Sequence, residues 1–430
     1  MGIFSSFHTA LAYTGVVIMV RTTRITFVGI TIIVVAVLTL RAGSLENASA
    51  ADLSPGAHNV QHAYKHVESF YLPLSKFHLR GIDGPYHTQG NLILGADNRP
   101  YLFHGVARDD LEYLCAGDGH YTEQELAYMG SGDNTAHATY CGGNIVRLPL
   151  SENFWLYGSP SQRCSPAQYH AVLKRVVDTL TSLNLNVMLD LQWTNAGGQA
   201  PGAGDAWAMP DQDSVTLWQQ VAGIYKNYRN VLLEIYNEPH WLNNWPCWRN
   251  GCAIVEDSSG LTGHDHSHYS YQAVGMQTLL DTVRQTGADN LVVVGGVDWG
   301  FDLSQLPTYH LNGTNIVYDT HPYSYKSKLP AHWDAAFGQV SATYPVISAE
   351  SGEYDCKTAY VSQLFSYFDA HDIGWISWAW APPWGDACKY PRLVTDLTGK
   401  PTPEMGQFVY QYLHSYLALL ASEEIPARLK

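Results

Sequence analysis

Basic residues are scarce in this chain of 430 residues: 24 Lys and Arg stand against 39 Asp and Glu, a net charge of -15. Phosphate binding needs a basic surface, so this balance argues against nucleic acid as a partner. It also disfavours anionic membrane surfaces and polyanionic substrates. The seven cysteines include no CxxC pair and no zinc-like spacing, which argues against a metal cluster. The alternating tract His264-Asp265-His266-Ser267-His268 reads as a solvated loop. No low-complexity stretch or repeat marks an appended module. Neither a metal nor a cofactor is expected.

Apolar and aromatic residues are plentiful. At 46% hydrophobic, most of the chain must fold. The 28 Tyr and 13 Trp are ordinary core material, and they also suit neutral polar ligands such as sugars. The length fits one large barrel or two to three ordinary domains. At the front, Arg21 and Arg24 precede an uncharged run over residues 25–40, followed by Ala48-Ser49-Ala50. Basic, then apolar, then small-x-small is the layout of a secretory leader, so residues 1–50 read as a signal segment cleaved after Ala50. Translation from Met19 would give a more ordinary leader. If the segment is not cleaved, it would anchor the protein to a membrane. Residues 51–75 are polar and aperiodic and read as a linker, and 76–430 as the main folded unit.

Residues Asn91–Leu94 and Tyr101–Phe103, with a turn between them, read as a short N-terminal β-hairpin. Eight apolar runs follow, at 102–106, 144–150, 186–191, 231–236, 291–297, 315–318, 345–349 and 374–380. Helical periodicity fills several gaps, for example 169–183 and 270–286, and 408–420 reads as a last helix on the wall. Strands alternating with helices imply an α/β fold, a (β/α)8 TIM barrel. A doubly wound sheet would usually carry a Gly-rich phosphate turn after its first strand. This one ends Gly105-Val106-Ala107-Arg108-Asp109 instead.

Barrel enzymes carry their active sites at the C-terminal strand ends. The fourth run there reads Asn237-Glu238-Pro239-His240, and the seventh Ser348-Ala349-Glu350-Ser351-Gly352-Glu353. Two carboxylates facing each other across a barrel mouth are what glycoside cleavage requires, one as acid and one as nucleophile. Strand alternation favours Glu350 over Glu353, because Val346, Ser348 and Glu350 share a face.

With these residues the chain resembles glycoside hydrolase family five, the cellulase family. The resemblance spans about Phe77 to Leu413. It rests on Gly105-Val106-Ala107-Arg108, Asn144 to Pro149, Leu189-Asp190-Leu191-Gln192-Trp193, Tyr236 to His240, His321-Pro322-Tyr323, Ala349-Glu350 and Trp375 to Trp378. It implies a retaining mechanism with Glu238 as acid/base and Glu350 as nucleophile. By the same resemblance, Arg147 would hold the nucleophile ionised and Asn237 would bind the sugar 2-hydroxyl. Asn237 needs a local twist or bulge to do so, because alternation turns it from Glu238's face. His321 would polarise the acid/base region and Tyr323 would touch Glu350. Trp378 is preferred over Trp380 as the sugar platform, with Trp193, Trp241 and Trp299 as candidates for further stacking. Gln192 departs from the His usual in the family; it cannot ionise.

On the barrel, Cys356 and Cys388 fall in neighbouring loops and are expected to pair, as are Cys115 and Cys164. Cys115 with Cys141 is the alternative, and Cys141 is otherwise the free thiol. Cys247 and Cys252 would close their own short loop. The expected protein is a secreted monomer that cleaves a neutral β-linked polysaccharide, foremost as an endo-β-1,4-glucanase. Mannan is the near alternative, and a non-catalytic glycan-binding barrel the distant one.

Overall fold

The computed structural model describes Phe77 and residues 81–428, except 131–140, 200–201, 203, 241–243, 261–267, 356 and 382–389; before Phe77 it describes three strands. Those three strands, His8–Tyr13, Val16–Phe27 and Ile30–Thr39, form an antiparallel sheet within a unit of their own, Met1–His66. The second unit, Val67–Lys430, holds the barrel. No helix among the described residues is long and apolar enough to cross a membrane.

Eight parallel strands close on themselves. They are β1 His104–Ala107, β2 Ile145–Ser151, β3 Asn186–Trp193, β4 Val231–Glu234, β5 Val292–Gly295, β6 Ile316–Asp319, β7 Val346–Ser348 and β8 Gly374–Ser377. Each lies within an apolar run read from the sequence or within two residues of its end. Period-two alternation divides their side chains. Val146, Leu148, Val187, Leu189, Leu233 and Trp375 pack outward into the helix-facing core. Ile145, Met188, Leu232, Val293, Val317, Ile347 and Ile376 fill the interior, closed below by Tyr86, Tyr101 and Phe103.

Two steps up the same inward columns, the side chains change character. Ile145 is followed by Arg147, Met188 by Asp190, Leu232 by Glu234 and Val317 by Asp319, all fully buried. Asp190 and Glu234 are register partners on adjacent strands. The barrel therefore has an apolar floor and, above it, a charged layer that supports the mouth.

The helices start where side chains satisfy the free amides of a first turn. Ser165 and Gln168 form a reciprocal box before Pro166–Ser182, and Asp211 caps Gln212–Tyr225. The last helix, Met405–Arg428, lays Val409, Leu413 and Tyr416 on the wall. Two readings shift. The segment expected as one helix over 270–286 begins as a strand, Tyr269–Gln272, paired with Ala253–Asp257, and turns helical only at Met276. The pairing of Ala253 with Gln272 and of Ile254 with Tyr271 outweighs the helical spacing there. The hairpin lies one segment earlier, His87–Gln89 with Leu92–Leu94. The expected pairing is present in part: Leu94 bridges Pro100, and the Tyr101 amide donates to the Ile93 carbonyl (2.9 Å).

Disulfides join Cys115 to Cys164 and Cys247 to Cys252, while Cys141 is a buried free thiol. The expected Cys356–Cys388 pair lies outside the described residues.

Candidate active site

Arg147, at the centre of the charged layer, is wholly enclosed. Its Nε and Nη2 donate to the two oxygens of Glu234 (2.6 and 2.8 Å), a fork-to-fork pairing. Nη2 also donates to Asn237 Oδ1 (2.7 Å) and lies 3.0 Å from Asp190. Nη1 donates to Glu350 Oε1 (2.8 Å) and to Gln192 Oε1 (3.3 Å). Burial opposes a charge here, but Asp190, Glu234 and Glu350 outweigh it and raise the guanidinium's pKa well above its ordinary value. The carboxylates share a single arginine, and two show the strain of burial. Glu234 is pushed up to about 7 despite Arg147, and Asp190 well above the usual carboxylate range.

His321 stands between two carboxylates. Its Nε2 is 2.6 Å from Asp319 Oδ2 and its Nδ1 2.9 Å from Glu238 Oε1, with Glu350 Oε2 at 3.8 Å. Burial would favour the neutral ring. Asp319, Glu350 and Glu238 outweigh it and raise the imidazole well above its ordinary value. The partner shifts the opposite way: burial would raise Glu238, but the His321 hydrogen bond prevails and holds it below the usual value. Both shifts describe one ion pair sharing one proton.

Glu350 also accepts from Tyr323 Oη (2.8 Å). One carboxylate oxygen from each of Glu238 and Glu350 and a ring nitrogen of His321 lie within 4.8 Å of one another. Carboxyl groups set this closely lack the roughly 6.5–9.5 Å separation that an inverting site needs for its attacking water, and match the spacing of a double-displacement site. Asn237 Nδ2 is buried without a partner, an amide donor left open beside Arg147. Trp378 lies with its ring 6.0 Å from the Arg147 guanidinium carbon and edge-on to Tyr390. Trp380 belongs instead to the outer, helix-facing core. Gln192, the departure from the family pattern, turns to Arg147. Trp193 sits half-buried beside Tyr113 and outside this cluster of contacts, and Trp241 is not among the described residues.

Strict alternation does not continue past the ends of β7 and β4. Ile347 and Ala349 face the interior, so strict alternation would turn Glu350 outward; β7 ends at Ser348, and Ser348 Oγ holds the Glu350 carbonyl at 2.9 Å as the chain bends inward. Likewise β4 stops at Glu234, and past its end Asn237 faces Arg147. Glu353 accepts from the Tyr360 and Val361 amides and so serves the start of the helix Ala359–Ala370.

Sequence reasoning passed over Asp190, Glu234, Asp319 and Lys328. The first three carried a signal: VMLD, VLLE and IVYD each end an apolar run on an acid at the inward parity. Lys328, on a short turn, carried none.

The family model described as Cellulase (glycosyl hydrolase family 5) matches residues 126–383. An endoglucanase of Paenibacillus polymyxa is 24% identical over 365 residues, 74% of this chain and 84% of that protein. An endoglucanase of Clostridium saccharobutylicum is 23% identical over 183 residues, 43% of this chain but only 33% of that protein. Among solved structures, a β-glucanase from Saccharophagus degradans in complex with cellotetraose superposes with a TM-score of 0.58 at 18% identity, covering 79% of this chain and 94% of that one. The catalytic domain of a Thermobifida fusca endoglucanase gives 0.54 at 18%, covering 77% and 97%. At these identities the structural likeness speaks to the fold.

Proposed function

The chain belongs to the cellulase family, glycosyl hydrolase family 5, and on that premise we propose that it is a retaining endo-β-1,4-glucanase with Glu350 as nucleophile and Glu238 as acid/base. The observation that carries the reading is the close approach of the Glu238 and Glu350 carboxylates around His321. Glu350, fixed by Arg147 and Tyr323, would form a bond from its oxygen to the anomeric carbon. The bond from that carbon to the leaving oxygen breaks as Glu238 delivers a proton to it. In the free site the shared proton would rest on His321 Nδ1, 2.9 Å from Glu238 Oε1, since the ring's pKa is raised and the carboxyl's lowered. Moving it across that hydrogen bond readies the acid and leaves the ring neutral. In the second half, Glu238 takes a proton from water, whose oxygen releases the sugar from Glu350.

Asn237 Nδ2, unpartnered in the buried site, would donate to the sugar 2-hydroxyl, and Trp378 would carry the ring's apolar face. The net negative charge fits an uncharged glycan. We further propose export with cleavage after Ala50, checked by the N-terminal sequence of the secreted protein, and a monomeric state.

The test is a substrate panel of soluble β-1,4-glucan, mixed-linkage glucan, mannan and xylan, with product sizing. A fall in viscosity ahead of reducing ends on β-1,4-glucan is expected. Preference for mannan would move the substrate within the family. Gln192 favours one second reading, a barrel that binds glycans and cleaves none; binding without products across the panel would establish that reading.

A further inference from the structure

Lys328 has its side chain almost wholly enclosed, 5% exposed, yet it lies outside the Arg147 network. Its backbone carbonyl is held from two sides, by Tyr360 Oη (2.7 Å) and Trp333 Nε1 (3.0 Å). Its ammonium donates to the carbonyls of Trp299 (3.0 Å) and His321 (3.4 Å) and lies 5.3 Å from the Phe301 ring centre. An ammonium has three donors, and carbonyls take two. Enclosing a lysine costs free energy unless its charge is matched nearby.

These contacts converge on one residue. Trp299, whose carbonyl Lys328 holds, returns its amide to the Pro239 carbonyl (3.1 Å). The Trp299 ring lies flat on His240, centroids 3.6 Å apart and 6° from parallel. His240 Nδ1 bonds the Glu238 carbonyl at 2.6 Å. The second carbonyl held by Lys328 belongs to His321, whose ring meets the Glu238 carboxylate. Both routes from the ammonium thus end at Glu238, one at its backbone and one at its side chain.

We propose that Lys328 is a positioning residue for the acid/base: its enclosed ammonium ties the loop after β5 to the end of β6, fixes the Trp299–His240 stack under Glu238, and supplies positive charge to the pocket that must hold the Glu238 carboxylate once its proton has left. The inference rests on reading Glu238 as the acid/base. The charged and titratable groups facing Glu238 are His321, Lys328, His240, Glu350, Asp298, Tyr323 and Tyr354; those facing Lys328 are Glu238, Asp298, Glu350 and His240. Burial lowers the Lys328 pKa against those three carboxylates, and Lys328 in turn draws Glu238 downward.

The test compares pH profiles of kcat/KM on a soluble β-glucan for wild type, Lys328→Gln and Lys328→Arg, with thermal melts as a folding control. Lys328→Gln keeps a donor for the carbonyls and removes the charge. The Glu238–His321 pair then keeps its shared proton to higher pH, so the basic limb moves up by roughly one pH unit. Lys328→Arg restores the limb to within a few tenths of a unit of wild type. Trp299→Ala, at a half-buried site, keeps the charge and removes the stack; it should lower kcat about tenfold with the limb unmoved and KM changed less. A purely structural lysine would lower rates at every pH and leave the limb in place. That result, or a Trp299→Ala enzyme with wild-type kcat, overturns the proposal, the latter deciding it even if Lys328→Gln does not fold. Should Glu238→Ala retain wild-type activity, the acid/base reading itself fails, which is a separate outcome.

Discussion

Replacing Arg147 by Met removes the guanidinium that touches Glu234, Asp190 and Glu350, and the structure sets the size of the effect. Methionine fills most of the volume, so the loss is electrostatic rather than a cavity. Breaking a buried pair from one side typically costs about 3–5 kcal/mol, because the charge left behind is uncompensated. For a barrel of this size the unfolding entropy is on the order of 0.7 kcal/mol/K, so the melting temperature should drop by roughly 4–7 °C. The sign of the pH dependence follows from the pKa shifts. Glu234 is at about 7 in the folded protein even with Arg147 present, and Asp190 is also raised. A carboxyl raised on folding contributes stability at low pH and loses it as pH climbs through the folded value. Without Arg147 these values rise further, so the Arg147→Met deficit should be larger at pH 8 than at pH 5.5. Arg147→Met with Glu234→Gln removes the worst of the stranded charge and should recover more than half the loss at pH 8. Circular-dichroism melts of the two variants and wild type at both pH values make the test. A melting temperature within 1 °C of wild type at pH 8, or no recovery in the double variant, would refute the claim that Arg147 offsets this layer.

His104 is buried between the Trp375 and Tyr416 rings, and burial lowers it to about 3. A depressed folded value means its contribution is complete above the unfolded value near 6.5 and is lost as pH falls toward 3. His104→Phe should therefore flatten the acid side of the stability curve, by up to about 5 kcal/mol between those limits, measured as denaturant midpoints against pH. The disulfides should differ in worth with the loops they close. Cys115–Cys164 has a separation of 49 residues and Cys247–Cys252 of 5. Loop entropy assigns them about 4 and about 2 kcal/mol, so Ser pairs at the first should melt lower. Equal melting temperatures for the two Ser-pair variants would contradict that ordering.

The sequence carried the barrel because the strands are short, buried and separated by capped helices, each with its own local signal. Ser165 with Gln168 and Asp211 with Ser214 illustrate how far local chemistry decides a boundary. Misplacement occurred where tertiary pairing overrides periodicity, as at Tyr269–Gln272, which pairs with Ala253–Asp257 despite helical spacing. The two carboxylates proposed to react were readable as strand-end acids, although alternation alone gave Glu350 the wrong direction. The supporting layer was readable in principle, since Asp190, Glu234 and Asp319 end apolar runs at one parity. Lys328 was not, because its role comes from carbonyls of residues 299 and 321, which only the closed barrel brings together.

The central claim is that Glu350 attacks the anomeric carbon while Glu238 manages the proton. The most direct measurement is to trap the glycosyl-enzyme with a 2-deoxy-2-fluoro cellobioside bearing an activated leaving group, then locate the adduct by peptide mass spectrometry. The account predicts one sugar ester, on Glu350, and products of retained anomeric configuration. An adduct on Glu353 or Glu234, or inverted products, would contradict it.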